Sequence, residues 1–183
     1  MLAGTGIEIL TYEGYRDPAE GETSYFDNAA LKARTLSRQL REAGIVANVL
    51  ADDSGLEVRA LGGRPGVATA YYGGNDLTWA QRRAALLDEL RSLGATDRRC
   101  RFVCALHFIG ADDRELATFA TVEGEVATED RGKQGFSFDP IFVFSPLGKT
   151  FSEMSESEKN TVSHRAIATS ALVAACSFAN GVA

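Results

Sequence analysis

Two adjacent carboxylates, Asp52 and Asp53, stand where a short apolar segment ends. Residues 45–51 are predicted to form a strand, and Ser54-Gly55 is typical of a turn into a second strand at 56–60. Two carboxylates at the exit of a buried strand are costly to hold together unless a cation compensates them. Mg²⁺ suits that position because it binds one or two carboxylates and shares its other positions with water and phosphates. Taken alone, a surface Asp-Ser-Gly turn is the alternative interpretation.

Further charged residues precede this pair in the chain. Glu20, in a loop predicted over residues 12–23, is a candidate for another carboxylate at the same metal, and Glu22 is the alternative. A solvated acidic loop without a ligand would explain either residue. Lys32, on the first predicted helix, can reach a phosphate, although lysines on helix flanks usually contact only water.

A second group of candidates lies in the last third of the chain, at Phe136-Ser137-Phe138-Asp139, Lys159 and Ser163-His164-Arg165. Phenylalanines at a strand entrance can stack on a base while a carboxylate accepts hydrogen bonds from its edge. His164 and Arg165 fall in the first turn of a predicted helix, where cations are unfavourable beside the helix dipole. An anion or an electron-rich heterocycle at that helix start would explain them. A surface His-Arg pair is the alternative.

The elements that must position these residues alternate between strand and helix early in the chain and include a long hairpin later. Apolar residues at helical spacing and alternating apolar residues identify the two types of element. This order favours an α/β fold, with a mixed sheet that carries helices on its faces, over a pure parallel array. Helices are predicted over 24–43, 78–93 and 163–178, and strands over 6–11, 45–51, 56–60, 101–109, 115–126 and 141–144.

Composition limits the class of protein. A chain of 183 residues suits a single domain, here predicted over residues 1–183, and its net charge of −6 argues against binding nucleic acid through a broad basic face. Three cysteines make neither a disulfide framework nor a zinc motif. No apolar run approaches the roughly 18 residues that cross a bilayer, and no signal peptide is recognisable. The expectation is a cytoplasmic protein without a membrane partner.

Five sequence blocks follow one another along the chain: SYFDNA with KAR (24–34), LADDSGL (50–56), GRPGV (63–67), GFSFDPIF (135–142) and EKN with SHR (158–165). In type and order they resemble the inosine/xanthosine triphosphate pyrophosphatase family. The resemblance implies an elongated sheet with flanking helices, in two lobes around a nucleotide cleft. It also implies a homodimeric, Mg²⁺-dependent hydrolase that clears deaminated purine nucleotides (ITP, dITP and XTP) by cutting them into monophosphate and pyrophosphate.

The same resemblance implies a role for each candidate residue. Asp53 would be the catalytic carboxylate and a metal ligand, with Glu20 as the second ligand. A water polarised by Mg²⁺ and deprotonated by Asp53 would attack phosphorus in line. Donors on His164 and Arg165 would favour a 6-oxo group over the 6-amino group of adenine. Phosphate or sugar contacts are implied for Lys32, Ser54 and Lys159, and purine contacts for Phe136, Ser137, Phe138, Asp139, His164 and Arg165.

Two departures from the family pattern lead to further expectations. Where the family has Gly-Phe-Gly-Tyr-Asp-Pro, this chain has Ser137 and Phe138 in place of the second glycine and the tyrosine, so we expect altered affinity for the base. Family members also carry a Thr/Ser-x-Asn-x-x-Lys element that grips the triphosphate, and no match to it precedes Glu20 here. Either the given start lies too far downstream and the enzyme is complete, or this is a shortened nucleotide-binding protein with weak or absent catalysis, which is the alternative hypothesis.

Overall fold

The predicted starts and ends of the first two long helices are confirmed. In the computed structural model, which describes residues 8–21 and 24–179, helix α1 spans Tyr25–Glu42 and helix α2 spans Trp79–Ser92. The Ser24 hydroxyl caps α1 by accepting a hydrogen bond from the Asp27 backbone N–H at 3.1 Å. Thr78 and Gln81 form a reciprocal capping box at the start of α2.

The strands of the described residues form one five-stranded sheet in the order β1-β2-β3-β4-β5. The Gly110 N–H donates to the Arg114 carbonyl at 2.8 Å, which closes the predicted hairpin between the second and third strands. Val143 pairs in antiparallel register with Glu125 on one side and Thr150 on the other. The α/β class is therefore confirmed. The strands are β1 (Val49–Val58), β2 (Arg99–Ile109), β3 (Glu115–Val126), β4 (Phe142–Phe144) and β5 (Lys149–Thr150), and they are followed by helices α3 (Glu156–Val162) and α4 (His164–Ala179).

The predicted turn at Ser54-Gly55 is wrong, because β1 runs without interruption from Val49 to Val58. The turn propensity of this segment is overridden by burial, since Leu56 and Val58 are fully buried and extend the strand into the core. Residues 56–58 of the separate strand predicted at 56–60 are therefore the end of β1. The prediction is wrong for residues 59 and 60, because Arg59–Leu61 form a 3-10 helix.

The strand predicted at 6–11 is also wrong over residues 8–11, which form neither helix nor strand. Ile9 and Leu10 are 67% and 79% exposed, so this stretch lacks the buried face that stabilises a strand. Residues 6 and 7 lie outside the described part of the chain. Sequence patterning did not identify the short elements β5 and α3.

The chain divides into two compact units, each with its own core. The first unit comprises residues 1–53, 104–120 and 165–183, and the second comprises Ser54–Val103 and Thr121–His164. The predicted single domain and the predicted nucleotide cleft stay predictions. Core residues of the first unit include Ala33, Leu40, Val49, Cys104, Leu106, Ile109 and Leu172, and those of the second include Leu56, Val58, Leu86, Leu90, Phe102, Phe142 and Phe151.

Within residues 8–21 and 24–179, no helix combines the length and the apolar character needed to span a membrane.

Candidate active site

A buried carboxylate, Asp53, accepts hydrogen bonds from two side chains of helix α1. Its residue exposure is 6%. Its Oδ1 accepts a hydrogen bond from the Lys32 ammonium at 2.8 Å, and its Oδ2 accepts one from the Asn28 amide at 3.2 Å. Asn28 and Lys32 are four residues apart on α1, so they lie on the same face of the helix and reach the strand together. Helix and strand thus place one carboxylate between an amide and a cation.

Asn28 also holds the loop that carries Glu20. Its amide nitrogen donates to the Gly21 carbonyl at 3.0 Å, and its amide oxygen accepts from the Gly21 N–H at 2.8 Å. This pairing brings Glu20 Oε1 to 3.1 Å from Lys32 Nζ. Asn28, which is 2% exposed, was not predicted as a site residue; its spacing of four from Lys32 on a predicted helix was the signal. Glu22, the alternative to Glu20, lies outside the described residues.

Burial and neighbouring charges shift the pKa values of both Lys32 and Asp53. Burial raises the pKa of Asp53, and the hydrogen bond and charge of Lys32 offset this only in part. Burial alone would lower the pKa of Lys32, but the hydrogen bonds and charges of Asp53 and Glu20 outweigh it, so that pKa is raised. Lys32 therefore stays a cation beside two carboxylates.

Asp52 and Asp53 have different partners because successive side chains of a strand point to opposite faces. Asp52 accepts a two-pronged hydrogen bond from Arg165, with Nη2 to Oδ1 at 2.8 Å and Nε to Oδ2 at 3.1 Å. The Cys104 thiol donates to the same Oδ2 at 3.3 Å. The guanidinium of Arg165 is thus held in one orientation from the first turn of α4. Asp52 was predicted only as part of a carboxylate pair, and its role as the partner of Arg165 emerges from the fold.

In the second unit, Asp139 organises the loop with the aromatic motif, which we call the 135–139 loop. Asp139 is 3% exposed, and its Oδ2 accepts from the Phe136 N–H at 2.7 Å and from Lys159 Nζ at 2.5 Å. The Lys159 ammonium also lies 5.3 Å from the centre of the Phe136 ring. Phe136 is 54% exposed, so part of this residue is accessible to a ligand. A phosphate or sugar contact of Lys159 stays a prediction.

The two substitutions in the aromatic motif have different consequences. Ser137 keeps a left-handed backbone (φ 57°), a conformation that costs a residue other than glycine about 1–3 kcal/mol. Phe138 is fully buried and packs edge-on against Tyr72 and Trp79. The ring of Phe138 lies in the core, and its predicted contact with a base stays a prediction. Phe136 is the exposed aromatic residue of the motif.

His164 begins α4, as predicted, but its ring is largely buried. Its exposure is 5%, and the ring stacks on Phe102 at a centroid distance of 4.6 Å and an interplanar angle of 15°. Ser54 is half-buried on β1 next to Asp53. The structure thus brings Glu20, Lys32 and Asp53 together in one unit and Phe136, Asp139 and Lys159 together in the other. Contacts of His164, Arg165 and Ser54 with a nucleotide stay predictions.

The donor set around Lys32 fits a divalent cation that is shared with a substrate. Glu20 and Asp53 bring two carboxylates to one ammonium, which leaves the trio with a net charge of about −1 when all three groups are ionised. Among residues 8–21 and 24–179, no group of three or more His, Cys, Asp or Glu side chains converges as a metal site. Two carboxylates suit Mg²⁺, which keeps several positions for water and phosphate oxygens.

Gly135 is expected to be essential for the 135–139 loop. A Cβ at this position would lie 2.3 Å from Asp139 Oδ2, and the glycine has φ +77°. Because that oxygen is held by Lys159 and the Phe136 N–H, we expect Gly135→Ala to lower the free energy of unfolding by about 2–3 kcal/mol. Thermal denaturation measures this loss. Gly94→Ala is the matched control, since Gly94 has φ +57° with no atom within 4 Å of the added Cβ. Equal losses for the two variants would contradict the role of Asp139.

Proteins similar to this chain identify its family. The sequence matches the Ham1 family over residues 1–175. It is 41% identical over 169 residues to a dITP/XTP pyrophosphatase of Geobacillus kaustophilus, covering 91% of this chain and 80% of that protein. It is 42% identical over 176 residues to a dITP/XTP pyrophosphatase of Thermus thermophilus, covering 95% and 82% of the two chains.

Solved structures agree as well. A HAM1 protein from Coxiella burnetii superimposes with a TM-score of 0.77 at 35% identity, covering 88% of this chain and 81% of that one. The Ham1 protein of Staphylococcus aureus superimposes with a TM-score of 0.76 at 37% identity, covering 90% and 82%. These matches confirm the resemblance that the ordered sequence blocks predicted, and the chain belongs to the Ham1 family.

Proposed function

We propose that this protein hydrolyses deaminated purine nucleoside triphosphates (ITP, dITP and XTP) to monophosphate and pyrophosphate, and so clears them from the nucleotide pool. The observation that carries the proposal is the buried Asp53 carboxylate, held between Lys32 and Asn28 with Glu20 beside it. The dITP/XTP pyrophosphatases to which the chain is similar support this class of substrate.

Two side chains of the first unit supply the chemistry that phosphate-bond hydrolysis needs. Asp53 accepts a proton from the attacking water, and its raised pKa makes it a better base than an exposed aspartate. Lys32, kept charged by its two carboxylate neighbours, neutralises charge that develops on phosphate oxygens. Asn28 holds the Asp53 carboxylate in place for the transfer.

We propose Mg²⁺ as the cofactor, with Glu20 and Asp53 as its ligands. When bound, the ion would act as a Lewis acid toward the phosphate oxygens. The excess of carboxylates over cations around Lys32 supports this proposal, because it leaves negative charge for a further cation to compensate.

Recognition of the purine is proposed for side chains of the 135–139 loop and for the start of α4. The exposed ring of Phe136 is the group for stacking on a base. Arg165, oriented by Asp52, and His164 would donate to a 6-oxo group. Adenine would leave such donors unsatisfied, at a cost of about 1–3 kcal/mol each.

We also propose that the protein is a cytoplasmic homodimer. Phe26 and Phe119 support a dimer because these exposed residues stack on each other (centroids 5.3 Å apart) and form an apolar surface. The cysteines Cys100, Cys104 and Cys176 are free thiols, which suits a reducing compartment. Sedimentation equilibrium tests the dimer.

Release of pyrophosphate from ITP, dITP, XTP, ATP and GTP tests the function. We expect ITP, dITP and XTP to be cleaved at least about tenfold faster than ATP, the factor that one unsatisfied donor accounts for. Chelation of divalent ions with EDTA is expected to stop the reaction, and added Mg²⁺ to restore it. Equal rates for ATP and ITP would contradict the proposal. Binding of ITP without release of pyrophosphate would favour the alternative of a nucleotide-binding protein without turnover.

A further inference from the structure

Arg83, a residue without a predicted role, connects helix α2 to the 135–139 loop. Its Nη1 donates to the Ser137 carbonyl at 2.7 Å, across 54 residues of sequence. Its Nε and Nη2 bind the Asp130 carboxylate at 2.8 Å and 2.7 Å, and the Arg83 side chain is only 12% exposed. The Asp130 carboxylate fixes the plane of the guanidinium. Nη1 is therefore directed at the backbone of the loop.

The backbone that Arg83 holds is the strained part of the loop. Ser137 has φ 57° and is 8% exposed, so its left-handed conformation is maintained by its surroundings. The next residue, Phe138, packs edge-on against Trp79 at a centroid distance of 5.8 Å, and Trp79 starts the same helix α2. Helix α2 therefore contacts two successive residues of the loop, directly after the exposed Phe136.

We propose that Arg83, oriented by Asp130, is a positioning residue that holds Ser137 in its left-handed conformation and thereby sets the orientation of Phe136 toward the base. This inference rests on the proposed function. Arg83 acts through the loop and has no role in the chemistry around Asp53. Loss of its hydrogen bond should therefore weaken nucleotide binding in the ground state and the transition state alike, which raises KM and leaves kcat unchanged.

Steady-state kinetics with ITP tests the proposal. For Arg83→Gln we expect KM to rise about tenfold, the effect of losing one charge-assisted hydrogen bond, with kcat within about twofold of the wild type. Arg83→Lys keeps a cation beside Asp130 but lacks the planar guanidinium that binds Asp130 and Ser137 together. Its KM should therefore lie between those of the wild type and Arg83→Gln. Arg91→Gln is the matched control on the same helix: that side chain is 65% exposed and pairs only with Asp88 among the described residues. Its KM should not change.

A second substitution separates positioning from a direct effect of charge. Glycine adopts the left-handed conformation without strain, so the loop needs less support from Arg83 when residue 137 is glycine. In the Ser137→Gly background, we expect Arg83→Gln to raise KM by no more than about threefold. If Arg83 instead attracted the nucleotide by charge alone, the rise would be the same in both backgrounds, and the proposal would be overturned.

The outcomes distinguish this inference from the proposed function. If the wild type releases no pyrophosphate from ITP, dITP or XTP, the proposed function fails. The role of Arg83 is then tested by calorimetric dissociation constants for ITP, which should change by the same factors as those expected for KM. If the wild type is active and Arg83→Gln has the KM of Arg91→Gln, the positioning role alone is refuted. A fall in kcat at unchanged KM would refute it as well. Circular dichroism shows whether each variant is folded. If Arg83→Gln does not fold, the test is made with Arg83→Lys.

Discussion

Replacing Asp53 by asparagine is expected to lower kcat/KM for ITP by about 10³-fold or more. Asparagine keeps the shape of the side chain but can neither accept the proton of the attacking water nor serve as an anionic metal ligand. Pyrophosphate release at saturating Mg²⁺ measures the loss. Asp76→Asn is the control, because Asp76 is an exposed aspartate and its substitution should leave the rate within about twofold. Activity that survives Asp53→Asn would refute the proposed chemistry.

The fold should survive this substitution, and the pKa of Asp53 supplies the reason. Burial raises that pKa, so the folded protein binds the Asp53 proton more tightly than the unfolded chain does. The protonated Asp53 side chain therefore contributes to the free energy of unfolding below the pKa that Asp53 has in the unfolded chain. This contribution is lost as the pH rises through the pKa that Asp53 has in the folded protein. The ionised carboxylate therefore adds no stability near neutral pH. We expect the melting temperature of Asp53→Asn to stay within a few degrees of the wild type.

Replacing Lys32 by methionine is expected to impair both activity and stability. The two carboxylates of Glu20 and Asp53 would lose the cation they share, at 3.1 Å and 2.8 Å. Because the side chains of Lys32 and Asp53 are 18% and 8% exposed, water screens this pair only weakly, and we expect the free energy of unfolding to fall by about 2–3 kcal/mol. We expect kcat/KM for ITP to fall about 10²-fold, since phosphate charge is no longer neutralised. Urea denaturation and steady-state kinetics measure the two effects.

The pH dependence of the Lys32→Met variant gives a sharper test. In the wild type, the hydrogen bond and charge of Lys32 lower the pKa of Asp53 against the effect of burial. Without Lys32 that pKa rises further, so the acidic limb of the kcat/KM profile should move to higher pH. Lys149→Met is the control: Lys149 forms an exposed ion pair with Glu158, and its removal should leave the profile unchanged. An acidic limb that does not move in Lys32→Met would show that Asp53 is not the base.

Local determinants of the fold were predictable from the sequence, and long-range determinants were not. Ser24 and Thr78 were identified as helix caps from the sequence because a cap bonds to a backbone N–H three residues away. The hairpin across Gly110–Arg114 was identified because alternation and turn residues are also local signals. By contrast, Ser54-Gly55 was wrongly predicted as a turn. Its local preference for a turn is outweighed by the burial of the residues that follow it.

The ordered motifs were sufficient to identify the family, and with it Glu20, Lys32 and Asp53 as candidates for one site. The motifs were informative because each combines residue types that a metal, a phosphate or a base requires. The tertiary structure alone decided that Asp52 pairs with Arg165, since a continuous strand turns adjacent side chains to opposite faces.

Buried and long-range contacts were likewise decided by packing. Phe138 is a core residue and Phe136 an exposed one because the loop between them passes through Ser137 in a left-handed conformation. Arg83 meets Ser137 across 54 residues, a distance over which no sequence periodicity extends. The sequence by itself therefore determined which chemical groups are present and which local elements carry them. The tertiary structure decided which groups touch, because that depends on how distant segments bury their apolar faces against one another.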